Sequence, residues 1–355
     1  MMDSLATYIE SLINANAQNS DAQTYAGNVK VTVEKEKIRV IFSSPTSFKL
    51  DKALYFELYD VMNVPLFPVV TLLPQDSMIV EAFNAPNISR QRCFVYPYRV
   101  GVPTRKVYRN ETEFIQNVKA NGYELMSGLK LNMKDVTSIA IASTSGGGKS
   151  YLIQQLLQYF VLANYETVVI DGKKDRPAKF AQANGIELYV NGSDESDDNL
   201  LMNVNRMLER VNNTITKRQN QLFNDTVTEA NLKPIVLVFD EIGALTALAS
   251  KNVKEAFFKL LTRVMTLGRQ SRVHVVVSSQ RLDANTLPTI CKEQCNVLIQ
   301  LGSLTSNNLQ YLFPDYKELD VLVPLDTVGN KGRGLISMNN QMHTFLVPTI
   351  GGAAA

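Results

Sequence analysis

The stretch that most constrains this chain is Ile139 to Ser150, IAIASTSGGGKS, where an apolar run stops in a glycine cluster and meets Lys149 and Ser150. Such a run predicts a strand feeding an anion cradle. Gly146, Gly147 and Gly148 let the backbone bend so that successive N–H groups point inward. A helix starting near Lys149 turns its positive dipole end toward the same point. The expected phosphate-binding segment is Ser145, Gly146, Gly147, Gly148, Lys149, Ser150 and Tyr151, with Lys149 reaching the β and γ phosphates and the Ser150 hydroxyl suited to Mg2+. The pattern is a relaxed Walker A motif, because G-x-x-x-x-G-K-[ST] asks for glycine where Ser143 stands. A flexible Gly/Ser loop carrying a lysine is the alternative, and the downstream pattern argues against it.

Beyond residue 125 or so, apolar strands alternate with longer helices, the signature of a mainly parallel α/β sheet. Strands are expected at 138–142, 167–171, 186–190, 235–239, 273–278 and 297–301, and helices at 149–163, 178–184, 202–223, 254–269 and 306–312. In such sheets ligands bind beyond the carboxyl ends of the strands, where the motifs fall. The fold class expected is α/β, a P-loop (RecA-like) sheet with a smaller, mostly β N-terminal domain. The divisions are 1–27, a loose helix and linker; 28–125, the accessory domain; 126–350, the P-loop domain; and 351–355, a tail. Within the accessory domain, alternation predicts a hairpin over 29–42 and further strands near 67–73, 77–80 and 93–100. Val61 to Leu73, broken by Pro65 and Pro68, reads as extended.

Ile235 to Glu241, IVLVFDE, is a buried strand with two acids at its tip. Asp240 is placed to hold Mg2+ through a water, and Glu241 to orient or deprotonate an attacking water. A helix-capping pair is the other reading. Val273 to Gln280, VHVVVSSQ, ends instead in a neutral amide that can bond both a γ-phosphate and the lytic water, making Gln280 a sensor or a simple cap. Among Arg263, Arg269, Arg272 and Arg281, Arg269 is the first choice for a guanidinium donated to a neighbouring subunit's site, with helix C-terminal capping as its alternative.

A net charge of +2 says little about partners, since phosphate contacts are local. Arg105, Lys106 and Arg109 around Tyr108 fit either a nucleic-acid contact or a solvated hairpin edge. Cys93, Cys291 and Cys295 form no disulfide framework, and with only His274 and His343 in the chain a metal site at Cys291 and Cys295 is not expected; buried helix cysteines in a reducing compartment are. No apolar run approaches the ~20 residues that span a bilayer, and the start lacks a basic signal region, so a soluble, cytoplasmic protein is expected.

Taken together, residues 128–350 resemble the motor domain of the FtsK/SpoIIIE/HerA superfamily of DNA-translocating ATPases. GLKLNMKDVTSIAIASTSGGGKS resembles its Walker A entry, and VVIDGKKD its IDPK-type motif, with Gly172 where proline is usual. RMLERVNNTITKRQNQLFND, LVFDEIGAL, TLGRQSRVHVVVSSQRLDANTLP and GNKGRGLISM resemble successive later segments. The family's DSR motif is not recognisable in Ser303 to Asn308, and the first 120 residues have no counterpart. The resemblance implies ATP and Mg2+ as cofactors, a homo-oligomeric and hexameric ring, and double-stranded DNA in its pore, gripped without base reading. Lys173, Lys174, Arg176 and Lys179, or Lys331 and Arg333, could supply that grip; solvated loop charge is the alternative. The family's membrane segments and winged-helix domain are not seen, which suits a mobile element whose motor serves transfer, replication or packaging and docks a relaxase or packaging protein. A single-strand helicase, a protein-remodelling ATPase and a nucleotide-gated binding module are the other readings.

Overall fold

In the computed structural model the described residues are 2–19, 29–43, 50–75, 77–192, 197–314, 331–339 and 341–351. The linker expected before residue 28 and the tail at 351–355 fall largely outside them. Two compact units emerge among the described residues, one formed by residues up to Pro103 with Gln341–Thr344, the other by residues from Thr104 to Asn340 and from Phe345. No helix among the described residues is long and apolar enough to cross a membrane.

The first unit is an antiparallel sheet with two helices. Strands Val29–Glu34, Lys37–Phe42, Arg92–Val100 and Val70–Leu72 lie in that order, with Val80–Ala82 also against Arg92–Val100. The expected hairpin forms, pairing Val33 with Ile38. Two expectations are corrected. Helix Met2–Asn19 is not loose: Ile9 and Ile13 are buried among Val31, Val40 and Tyr59, and Glu10 accepts the Val31 N–H at 2.8 Å. Val61 to Leu66 is not extended but ends helix Lys52–Leu66, whose buried Leu54, Tyr55, Leu58, Tyr59, Met62 and Leu66 recur at helical spacing. Asp51 caps that helix by accepting the Leu54 N–H at 3.1 Å, and Pro65 is accommodated in its last turn.

The second unit is built on a sheet whose strands run in the order Glu187–Tyr189, Glu166–Asp171, Ile235–Asp240, Val273–Ser279, Ser138–Ser143, Val297–Leu301 and Arg333–Met338. The first six are mutually parallel; Arg333–Met338 runs antiparallel to Val297–Leu301. Both faces of the central strands are covered, which is why Ile235–Asp240 and Val273–Ser279 read as unbroken apolar runs rather than alternating ones. Helix Lys149–Leu162 packs Leu152, Leu156 and Phe160 against Ile139, Ile141 and Val276. The long polar helix Asp197–Phe223 is tied along helix Lys251–Leu267 by Asn205 and Asn212, which donate to the carbonyls of Val253 and Leu260.

Residues 104–125 belong with this second unit, upstream of the division at 125 read from sequence. Helix Glu111–Asn121 is capped by Asn110, and its Phe114 shares one core with Tyr108, Tyr123 and Leu152. The basic cluster there is not a solvated edge throughout. Arg105 is buried, and Lys106 pairs with Glu124 at 2.8 Å. The three cysteines are free and buried.

Candidate functional site

Register places the functional strand tips side by side. Asp171 pairs with Asp240, and Ser279 with Ala142, so the ends of strands Glu166–Asp171, Ile235–Asp240, Val273–Ser279 and Ser138–Ser143 share one sheet edge. The strand leading to Gln280 lies between the strand leading to Lys149 and the one bearing Asp240.

After Ser143 the chain turns through the glycines into helix Lys149–Leu162. Gly148 is its N-cap at φ +99°, a conformation that disfavours a side chain. At Gly147 a Cβ would meet Ser143 Oγ at 2.5 Å and the Thr144 carbonyl at 3.0 Å. Ser143 therefore fits the motif's first glycine position because Gly147 leaves room above its hydroxyl, which donates to the Thr144 carbonyl at 2.9 Å.

Lys149 Nζ reaches across the edge to Asp240 Oδ1 at 2.9 Å and Glu241 Oε2 at 2.7 Å. Ser278 Oγ donates to Asp240 Oδ1 at 2.8 Å, while Glu241 Oε1 accepts from Ser279 Oγ at 3.0 Å and the Gln280 N–H at 3.1 Å. Burial pulls the Lys149 ammonium down, but the carboxylates of Asp240 and Glu241 outweigh it and hold its pKa above the ordinary value. Burial likewise pushes Glu241 up, yet Lys149, with the Gln280 N–H and Ser279, brings it below the usual carboxylate range. Both groups are thus charged at neutral pH.

Glu241 occupies the N-cap position of helix Ile242–Ala247 but its side chain makes no capping bond. It faces the lysine instead. Its backbone is left-handed at φ +59°, which costs a non-glycine residue about 1–2 kcal/mol. Burial of Phe239 and Ile242 on either side, at about 1.5–3 kcal/mol per large apolar side chain, is enough to hold that geometry.

These groups line one cavity of about 320 Å3 together with Ser145, Gly146, Ser150, Tyr151, Lys173, Asp175, Arg176, Gln280 and Lys331. The two segments on which the sequence reading depends, 146–150 and 240–241, therefore meet. Tyr151 lines the cavity but turns its hydroxyl to accept the Ile350 N–H at 2.7 Å. Arg269 is not brought in: it is exposed beyond the amino end of strand Val273–Ser279, whose opposite end carries Gln280. Arg263 and Arg272 bond Thr216 and Leu232 away from the cavity, and only Arg281 shares the Gln280 end, with its guanidinium over Tyr311 at 5.1 Å.

Some site residues were not read from sequence. Asp171, fully buried, accepts the N–H groups of Lys173 at 2.7 Å, Lys174 at 3.1 Å and Asp175 at 2.9 Å, folding the GKKD turn. Burial, reinforced by Asp240, raises its pKa against those bonds. The turn delivers Asp175 Oδ2 to Ser150 Oγ at 2.9 Å. It also sets Lys173 Nζ 3.4 Å from Glu241 Oε2. The sequence signal was an acid ending a strand, VVID, the same pattern that marked Asp240. Lys173, Arg176 and Lys331, weighed above as DNA-contacting or solvated loop residues, line this cavity.

No family profile matches the chain. The FtsK domain-containing protein YdcQ of Bacillus subtilis (strain 168) is 23% identical over 311 residues, covering 80% of this chain and 61% of that protein. The pCW3 conjugation coupling protein TcpA, solved as a monomer with ATPγS, superposes with a TM-score of 0.56 at 13% identity over 96% of this chain and 95% of its own. The chain has a P-loop α/β fold like that of TcpA. That fold accounts for the strand order and for the carboxyl-end cavity, and the chain spans about 61% of the length of the curated relative it matches.

Proposed function

We propose that the protein is an ATP-driven motor that translocates double-stranded DNA. The observation that carries this reading is the convergence of Lys149, Asp240 and Glu241 beside a glycine turn in one cavity. A lysine, a phosphate nest and an acid pair at a strand tip are the parts that phosphoryl transfer to water requires. The likeness to YdcQ and TcpA, the latter a conjugation coupling protein holding ATPγS, favours ATP as nucleotide and DNA as cargo.

In this reading the turn at 145–150 binds the phosphates through backbone N–H groups, and Lys149 exchanges its carboxylate partners for phosphate oxygens. The hard oxygen donors of Ser150 and Asp240 suit Mg2+, which when bound neutralises phosphate charge. Glu241, ionised and fixed by Ser279 and the Gln280 N–H, orients the attacking water and accepts its proton. Gln280 reads the terminal phosphate from the central strand. Arg269, on the far end of the sheet, can serve only a neighbouring subunit. A head-to-tail ring, hexameric in the resembled family, supplies that neighbour and a pore. Transfer, replication or packaging of a mobile element's DNA is the setting proposed, with relaxase or packaging proteins as partners of the first unit.

Displacement of a triplex-forming strand from duplex DNA tests the reading. ATP-dependent displacement, lost in Glu241→Gln, is expected. Robust ATP turnover that neither displaces the third strand nor responds to any DNA would favour a remodelling ATPase acting on protein, and preferential unwinding of forked substrates a helicase.

A further inference from the structure

The peptide joining Lys331 to Gly332 is bonded on both sides. Its carbonyl accepts from Arg105 Nη2 at 2.8 Å, and its N–H donates to the Gly147 carbonyl at 2.9 Å. Arg105 Nη1 also donates to the Val347 carbonyl at 2.6 Å, while the Val347 N–H donates to the Gly332 carbonyl at 2.8 Å. Arg105 itself is only 7% exposed.

Two features make this arrangement more than packing. A phosphate nest turns its N–H groups inward, so its carbonyls face outward and need donors from elsewhere; for Gly147 that donor is Gly332. The chain also passes Arg105 very closely. Gly332 has φ +69°, and a Cβ there would lie 2.9 Å from Arg105 Nη1 and 3.1 Å from Val347 Cβ. Placing a guanidinium in the interior is costly, and this one is used on the backbone of the segment that touches the phosphate turn. One residue before Gly332, Lys331 lines the same cavity as Lys149.

We propose that Arg105 is a positioning residue for the nucleotide site. Through the 331–332 peptide it fixes the outer carbonyl of the phosphate turn and seats Lys331 as a second cation for the terminal phosphates. The inference rests on the triphosphate reading of the cavity. Because one planar peptide carries both bonds, a shift at Arg105 passes to Gly147 and Lys331 without attenuation along a flexible chain.

The test is equilibrium binding of a non-hydrolysable ATP analogue and of ADP to the full chain, well below each variant's melting temperature. Lys331→Ala, an exposed change, is expected to lose roughly tenfold or more in analogue affinity, with a smaller loss for ADP. Folded Arg105→Gln is expected to lose at least as much. If Arg105→Gln does not fold, Arg105→Lys carries the test, since it keeps charge and stem but not the two-pronged reach. A merely structural Arg105 would lower the melting temperature and leave the triphosphate-to-diphosphate affinity ratio unchanged. Parental affinity in Lys331→Ala, or a parental ratio in the folded Arg105 variant, overturns the proposal. Lys149→Ala separates the two levels. If it alone abolishes binding, only the role of Arg105 and Lys331 falls; if it too binds as the parent does, the triphosphate reading falls with it.

Discussion

Lys149 Nζ stands 2.7 Å from Glu241 Oε2, so the cation expected to hold phosphate and the carboxylate expected to activate water are partners in one part-buried ion pair. Breaking such a pair leaves an uncompensated charge, typically a cost of about 3–5 kcal/mol. Here Lys173 Nζ, 3.4 Å from the same carboxylate oxygen, can take up part of the charge.

Removing either partner should therefore have opposite effects on nucleotide. Lys149→Ala loses the phosphate contact and should abolish measurable ATP binding. Glu241→Gln frees Lys149 from one competing acid, so isothermal titration should show ATP affinity equal to or above the parent's. A loss of affinity in Glu241→Gln would contradict the pairing.

Gly147→Ala should damage the phosphate turn because its Cβ would meet Ser143 Oγ at 2.5 Å. Adding Ser143→Gly removes that contact and leaves the Thr144 carbonyl at 3.0 Å and Gly302 Cα at 3.3 Å. The double variant should recover part of the lost ATP affinity, and the coupling between the two sites should be on the order of 1 kcal/mol by double-mutant cycle. Strict additivity would mean Ser143 does not face Gly147.

Ser150 Oγ donates its only proton to Asp175, which leaves its lone pairs for a cation. Asp175→Asn keeps the shape and weakens the acceptor. ATP binding in Mg2+ should weaken by about tenfold, while binding in the presence of a chelator should change little. Equal losses in both conditions would assign Asp175 to the fold of the turn instead.

His343 is buried, and its Nδ1 has no hydrogen-bond partner among the described residues. Burial, with Arg99 adding to it, pushes its pKa down to about 3. The unfolded chain takes up a proton near pH 6.5 that the folded chain refuses until about pH 3, so stability falls as pH drops through that window. Denaturant titrations should show about 1.4 kcal/mol lost per pH unit from this one group. His343→Phe should flatten the slope by that amount. His274, whose pKa burial also lowers, adds a loss of the same sign.

What could be read from the residues alone was local chemistry. The glycine turn, the acid pair at 240–241 and the polar end at Gln280 each sit at a strand tip, and an apolar run followed by such a tip signals a buried strand whatever surrounds it. The six parallel strands were legible for the same reason. Helix Lys52–Leu66 was not, because Pro65 and Pro68 suggest extension while only the 54–66 spacing of buried side chains reveals the helix. Asp175 and Arg105 were hidden by distance: Ser150 lies 25 residues before Asp175, and Lys331 lies 226 after Arg105, so no motif spacing links either pair.

The most direct test of the central claim is the steady-state rate of ATP hydrolysis with Mg2+, measured with and without duplex DNA in the parent and in Glu241→Gln. The account predicts turnover that duplex DNA raises, that added salt makes less responsive to DNA, and that falls by about a hundredfold or more in the variant. Equal turnover in parent and variant would show that the cavity between the phosphate turn and the acid pair is not where ATP is hydrolysed.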